Sequence, residues 1–191
     1  MSNQNPLATA CTLIALLIPW QATAAQKQLD AHEHGSAMLN LAIDNNLVIL
    51  EFESPAINIV GFEHPPENDQ QTQAIKQTIT RLETFGDIFS LPKAAQCNPQ
   101  SASADWVSDS HEEHEEHAEH KEHEEHEEQG GHSEFTAEYK LSCQHIDKLD
   151  AINVKLFEHF PGIEDLDVQG ITATGQFAAE LNADQHRLEL K

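Results

Sequence analysis

Two apolar runs around a short polar turn decide the fold: AMLNLAI (residues 37–43), DNN (44–46) and LVILEFE (47–53). Alternation of apolar and other residues over such lengths is typical of β-strands with one buried face. The Asp/Asn step between the runs has the residue types that tight hairpin turns require. The stretch therefore predicts a β-hairpin.

The segments that follow predict a sheet and a single main helix. Residues 54–66 contain three prolines and are expected to form an ordered loop. Residues 67–89 carry apolar side chains at helical steps of three and four, with Pro66 suited to the first turn and Pro92 to a stop. Further strands are expected at 133–143, 151–156, 166–174, 176–181 and 187–190, with a short one around Trp106. The fold class is predicted to be α+β, an antiparallel sheet with one main helix packed on it.

Length and charge limit the organisation and the partners. A chain of 191 residues supports one globular domain, predicted at residues 25–191, with a disordered His/Glu-rich insertion at about 109–132. The formal net charge of −23 argues against nucleic acid and anionic membranes as partners, and it favours cations.

Residues 1–24 have the order of a secretory signal peptide. They contain no charged side chain, and an apolar run from Leu13 to Ile18 precedes the small residues Ala22 to Ala24. No Lys or Arg precedes Leu7, so an uncleaved membrane anchor is the alternative, although the run is short for a membrane span. We expect export and no stable membrane insertion after cleavage.

Two cysteines remain after that cleavage, Cys97 and Cys143. A cysteine pair in an exported protein predicts a disulfide; two free thiols or two zinc ligands are the alternatives. The bond would enclose the His/Glu-rich insertion in its loop, so that segment could stay disordered without loosening the fold.

The insertion, here called the His/Glu tract, has the composition of a metal-binding segment. Imidazole and carboxylate together suit Zn²⁺, and the same donors suit Cu²⁺, Ni²⁺ and Co²⁺. Ten Glu and one Lys between residues 111 and 128, with no large apolar residue, predict disorder without metal. An acidic linker with incidental histidines is the alternative, but the strict three-residue register favours metal binding. The histidines concerned are His111, His114, His117, His120, His123, His126 and, after a Gly-Gly step, His132.

A second candidate metal site begins at His32 and His34. If this segment is extended, the two side chains point the same way and can reach one ion, and Gly35 permits a tight backbone beside them. The pair alone is a weak signal. Further ligands would have to come from a set that the spacing leaves open: His64, His145, His159 and Glu63.

A family resemblance strengthens this second site. The sequences AHEHG (31–35), SPAINIVGFEHPP (54–66), AQC (95–97) and GQFAAEL (175–181), together with the tract, resemble the ZrgA-type zinc-binding periplasmic proteins of Gram-negative bacteria. The resemblance implies that His32, His34 and His64 are functional positions. It also implies a periplasmic protein that holds zinc for a high-affinity ABC importer and its solute-binding protein.

Two other functions stay open at this stage. A periplasmic buffer that protects against excess Zn, Cu or Ni would have the same composition. A zinc hydrolase could arise if the His32 and His34 site kept an open coordination position, but no nucleophile motif or phosphate-binding loop accompanies it. We therefore expect a binding protein and no enzyme, with no catalytic residues.

Overall fold

The computed structural model describes residues 33–108 and 132–190. Strands dominate this part of the chain. They are β1 (Ser36–Asp44), β2 (Leu47–Pro55), β3 (Phe89–Ser90), β4 (Cys97–Ser108), β5 (Ser133–Cys143), β6 (Ala151–Val154), β7 (Asp165–Thr172), β8 (Gly175–Asn182) and β9 (Arg187–Glu189). The helices are α1 (Ile57–Val60), α2 (Asp69–Leu82), α3 (Phe85–Ile88) and α4 (Leu156–His159), with 3₁₀ turns at Lys93–Ala95 and Ile146–Lys148.

The strands form two sheets. The larger sheet has the order β4-β5-β2-β1-β7-β8, and the smaller one has the order β3-β6-β9. All neighbouring strands of the larger sheet are antiparallel except β1 and β7, which run parallel. The α+β prediction is confirmed, and the large sheet is mixed because of this one pairing.

The predicted hairpin is the centre of the large sheet. Strands β1 and β2 pair in register from Met38 opposite Glu53 to Asp44 opposite Leu47. Asn45 in the turn has the left-handed φ of 53° that Asn tolerates better than most residues. Alternate side chains of both strands, including Leu39 and Leu50, are fully buried. The hairpin therefore supplies the middle of the hydrophobic core.

The main helix is shorter than predicted. Helix α2 begins after Asn68, whose side chain accepts a hydrogen bond from the Gln71 amide at 2.9 Å, so the start is set by this cap and not by Pro66. It ends at Leu82, and the chain turns at Thr84 (φ −92°, ψ 86°) into the separate helix α3. Phe85 and Phe89 lie beyond the break, yet both rings still pack against the buried ring of Tyr139. The apolar stripe thus continues across a change of backbone direction.

Strands β4 and β5 form a long hairpin closed by a disulfide. Cys97 pairs with Cys143 at one end, with their Sγ atoms 2.00 Å apart, which confirms the predicted bond. The ladder continues to Ser108 opposite Ser133, where the His/Glu tract is inserted. Strand β4 is much longer than the short strand predicted around Trp106. The disulfide and the tract therefore lie at opposite ends of one hairpin.

Candidate metal centre

Three chain segments meet at the end of β2 because of the strand directions. Strands β1 and β5 are both antiparallel neighbours of β2, so both begin where β2 ends. His34 lies just before β1, and His132 lies just before β5. Helix α1 follows β2 directly and leads to Glu63. The topology thus places two histidines and a carboxylate at one end of the sheet, at its central strands.

The carboxylate of Glu63 lies between the two imidazoles. Nε2 of His34 is 3.5 Å from Oε1, and Nδ1 of His132 is 3.3 Å from Oε2. The Glu63 side chain is only 16% exposed, whereas those of His34 and His132 are 64% and 57% exposed. A largely fixed carboxylate is therefore flanked by two imidazoles that solvent and ions can reach.

The backbone that carries His34 is held in a tight turn. Gly35 has a φ of 89°, a backbone conformation that residues other than Gly rarely adopt. Its N–H donates to Oδ1 of Asn58 at 2.8 Å, and its carbonyl accepts from the amides of Glu164 at 2.7 Å and Asp165 at 3.1 Å. The Gly35 peptide is thus bonded on both sides, which fixes the start of the histidine side chain beside it.

The backbone beside His132 is bonded to the Glu63 segment. The Ser133 hydroxyl donates to the carbonyl oxygen of Glu63, and the Ser133 carbonyl accepts from the Ala56 amide at 2.8 Å. The first residue of β5 is therefore attached to both ends of the α1 segment. This explains why His132 faces Glu63, although it follows the tract in the sequence.

His64, the third histidine that the resemblance implies, has different contacts. Its ring stacks on Phe62, with centroids 5.2 Å apart, and its Nδ1 lies 2.8 Å from the Pro65 carbonyl oxygen. A carbonyl can only accept, so Nδ1 is the donor in this contact, and in the neutral ring Nε2 is then the atom with the free lone pair. Metal-bound histidines commonly donate their second nitrogen to a carbonyl in this way. His64 is therefore chemically prepared to act as a ligand one residue from Glu63.

The remaining open candidates lie elsewhere. Nδ1 of His159 accepts from Arg81 at 2.6 Å. His145 follows the far end of β5, about 35 Å along the strand from His132 at the usual rise per residue. Of the candidates left open beside His64, only Glu63 contacts His34. His32 and the predicted tract ligands from His111 to His126 lie outside the described residues, as does the predicted signal peptide.

Within residues 33–108 and 132–190, no three His, Cys, Asp or Glu side chains already form a metal-binding group. The arrangement is instead one carboxylate with a separate imidazole at each oxygen. Sequence reasoning placed His132 with the tract. Its separation from the three-residue register by Gly130 and Gly131, directly before a strand, was the available signal that it belongs to the folded body.

The clearest effect of burial on a pKa is at Tyr139, away from the candidate metal centre. The Tyr139 hydroxyl donates to the Leu82 carbonyl at 2.7 Å in the core, and desolvation raises the pKa of this phenol above its ordinary value. This bond joins β5 to the last residue of α2, so Tyr139 has a structural role.

Comparisons with known proteins identify the family. No helix in the described part of the chain is long and apolar enough to cross a membrane. A search of curated proteins finds no match. Residues 31–190 match the family model described as "ZrgA family zinc uptake protein". That description names zinc and a role in uptake, and it names neither another metal nor a reaction. The chain belongs to the ZrgA family of zinc uptake proteins.

Proposed function

We propose that this protein binds Zn²⁺ in the periplasm and holds it for delivery to the solute-binding protein of a high-affinity ABC importer. The observation that carries the zinc site is the position of Glu63 between His34 and His132. Family membership supports the role in uptake. The disulfide supports an oxidising compartment, because such bonds persist mainly outside the cytosol.

The geometry at Glu63 suits a zinc ion. Zinc takes N and O ligands at about 2.0 to 2.1 Å in a tetrahedron, which puts two ligand atoms about 3.3 Å apart. The two N–O separations of 3.5 and 3.3 Å are close to this value. Because both imidazoles are exposed, they can turn toward a shared ion without disturbing the core. His32 and the Nε2 atom of His64 are the proposed sources of a fourth ligand.

The His/Glu tract has a separate part in this proposal. Its histidines offer many overlapping ligand sets, but its composition predicts disorder, and ordering a disordered segment costs about 1 to 2 kcal/mol of backbone entropy per residue fixed. Each tract site should therefore be weaker than the centre at Glu63, because the fold already brings its candidate ligands close together. Weak, exchangeable sites suit capture of zinc, and one tighter site on the folded body suits its retention.

Zinc titration of the purified exported protein tests the two kinds of site. Replacing the six tract histidines with Gln, in a chain of unchanged length, should lower the number of zinc ions bound and leave one tight site. Adding Glu63→Gln or His34→Ala to that variant should remove the tight site. His186→Ala is the matched control: this exposed histidine, whose Nδ1 lies 3.0 Å from the Ala183 carbonyl oxygen, is outside the proposed centre, so its loss should not change zinc binding.

Delivery is tested by the kinetics of zinc transfer. If the protein passes zinc on by direct contact, the transfer rate to a zinc-free solute-binding protein should rise with the acceptor concentration. A rate equal to spontaneous release into a chelator, at every acceptor concentration, would contradict direct delivery. Protein levels that rise on zinc excess and fall on zinc starvation would contradict the role in acquisition.

A further inference from the structure

Buried polar side chains concentrate under the candidate metal centre. Apart from Tyr139 in the core, the described residues include four such side chains, and three of them, Ser54, Asn58 and Ser133, lie at the end of the sheet that carries Glu63. The fourth, Thr78, lies in α2. Burying a polar group is unfavourable unless its hydrogen bonds are made. A cluster of this kind at one end of the sheet therefore needs an explanation beyond packing.

Asn58 bonds both sides of the turn that carries His34. Its Oδ1 accepts from the Gly35 amide at 2.8 Å, and its Nδ2 donates to the Ser36 carbonyl at 2.8 Å. The same Nδ2 also donates to the Ser54 hydroxyl at 3.3 Å. One amide side chain thus connects the start of β1 with the end of β2. Both of its hydrogen-bonding atoms are used.

Helix α1 connects Asn58 to Glu63, so the hydrogen bonds of Asn58 also help to fix the backbone that leads to Glu63. Asn58 belongs to α1, which is followed by the capping residue Gly61. Gly61 has a left-handed φ of 82°, and its N–H donates to the Ile57 carbonyl at 3.1 Å. Glu63 follows two residues later. Gly162 packs against the backbone of α1, since an added Cβ there would lie 2.4 Å from the Asn58 carbonyl oxygen. The short helix is therefore held both by the hydrogen bonds of the Asn58 side chain and by this backbone contact.

Ser133 attaches the backbone beside His132, the third proposed ligand, to the same hydrogen-bonded α1 segment. Its hydroxyl bonds the Glu63 carbonyl and its carbonyl bonds the Ala56 amide, the residue before α1. The two serines and Asn58 thus connect the backbone beside His34, Glu63 and His132. None of these three polar side chains is needed as a metal ligand.

We propose that Asn58 is a positioning residue for zinc: it holds His34 and the Glu63 segment in the arrangement that the ion requires. This inference rests on the proposed zinc centre and adds to it the residue that preorganises the ligands. Partners behind the metal ligands typically contribute 10- to 100-fold to metal affinity. Asn58 acts on the main chain that carries the ligands, and Ser133 does the same from the other side.

The test uses the full exported chain with its six tract histidines replaced by Gln, so that only the centre is measured. Asn58→Ala should lower zinc affinity about 10- to 100-fold, measured by competition with a chelator at a temperature where the protein is folded. Thr78→Ala is the matched control, since it removes a buried polar group outside the frame and should leave the affinity unchanged. Circular dichroism of both variants records their unfolding temperatures.

A second readout separates positioning from stability. The visible absorption of Co²⁺ bound in place of zinc reports the ligand geometry, and it should change in Asn58→Ala but not in Thr78→Ala. If Asn58→Ala lowers only the unfolding temperature, with affinity and spectrum unchanged, the inference is wrong. If Asn58→Ala does not fold, Ser133→Ala gives the same test with a smaller change, and an unchanged affinity there overturns the shared frame. If Glu63→Gln also leaves the affinity unchanged, the proposed centre itself fails.

Discussion

Removing the Cys97–Cys143 disulfide should cost stability without weakening the zinc centre. The two cysteines are 46 residues apart in sequence, and the chain-entropy relation for a loop of that size gives about 4 kcal/mol. Domains of this kind have total stabilities of about 5 to 15 kcal/mol, so the loss is a large share. The proposed zinc centre lies at the other end of the β4–β5 hairpin, where Ser108 still pairs with Ser133.

Denaturant unfolding of the metal-free Cys97→Ala, Cys143→Ala protein measures this cost. The midpoint should fall, and the slope m should rise, because the unfolded chain without its cross-link exposes more surface. Reducing the parent protein should produce the same loss, and reduction should not affect the variant. An unchanged midpoint and slope would refute the entropic reasoning. A lost tight zinc site would refute the separation of disulfide and metal centre.

Two further predictions concern the core and the support of α1. Tyr139→Phe should cost about 1 to 3 kcal/mol, because the buried Leu82 carbonyl loses its donor. Burial raises the pKa of Tyr139, so above about pH 10 the unfolded chain releases the phenol proton while the folded chain keeps it. The free energy of unfolding should then fall by about 1.4 kcal/mol per pH unit. In alkaline unfolding curves, Tyr139→Phe should abolish this slope. Gly162→Ala should lower the unfolding temperature, because its Cβ would lie 2.4 Å from the Asn58 carbonyl oxygen. Gly86→Ala, with no heavy atom within 4 Å of the new Cβ, should not lower it, and equal losses at both glycines would contradict the steric argument.

Local patterns predicted the elements whose burial alternates strongly. The hairpin of β1 and β2 and the strand β5 carry large apolar residues on one face, such as Leu39, Leu50 and Phe135. Strand β4 has only Ala102, Ala104 and Trp106 on its inner face, which gives little contrast with its serines. The parallel pairing of β1 with β7 joins segments far apart in sequence, and alternation alone does not identify a partner strand.

The sequence predicts which residue types form the candidate metal centre, but it does not predict which particular residues come together there. His34 and Glu63 were both candidates from the sequence, and the structure brings them together. His132 was assigned to the tract because it is a histidine in that segment, whereas strand β5 places it opposite Glu63. The contact between His132 and Glu63 depends on which strands begin where β2 ends, and this follows from the topology of the whole sheet.

The pairing of Ser108 with Ser133 means that the segment between them can change in length with little effect on the fold. An insertion between two strand ends that are already neighbours does not alter the sheet on either side. Doubling the length of a flexible loop costs only about 0.6 kcal/mol of closure entropy. Gain or loss of His-Glu-Glu units by repeat expansion or contraction should therefore be nearly neutral for folding. If the tract binds zinc as proposed, the number of these units can change how many zinc ions the protein holds without changing the proposed centre at Glu63.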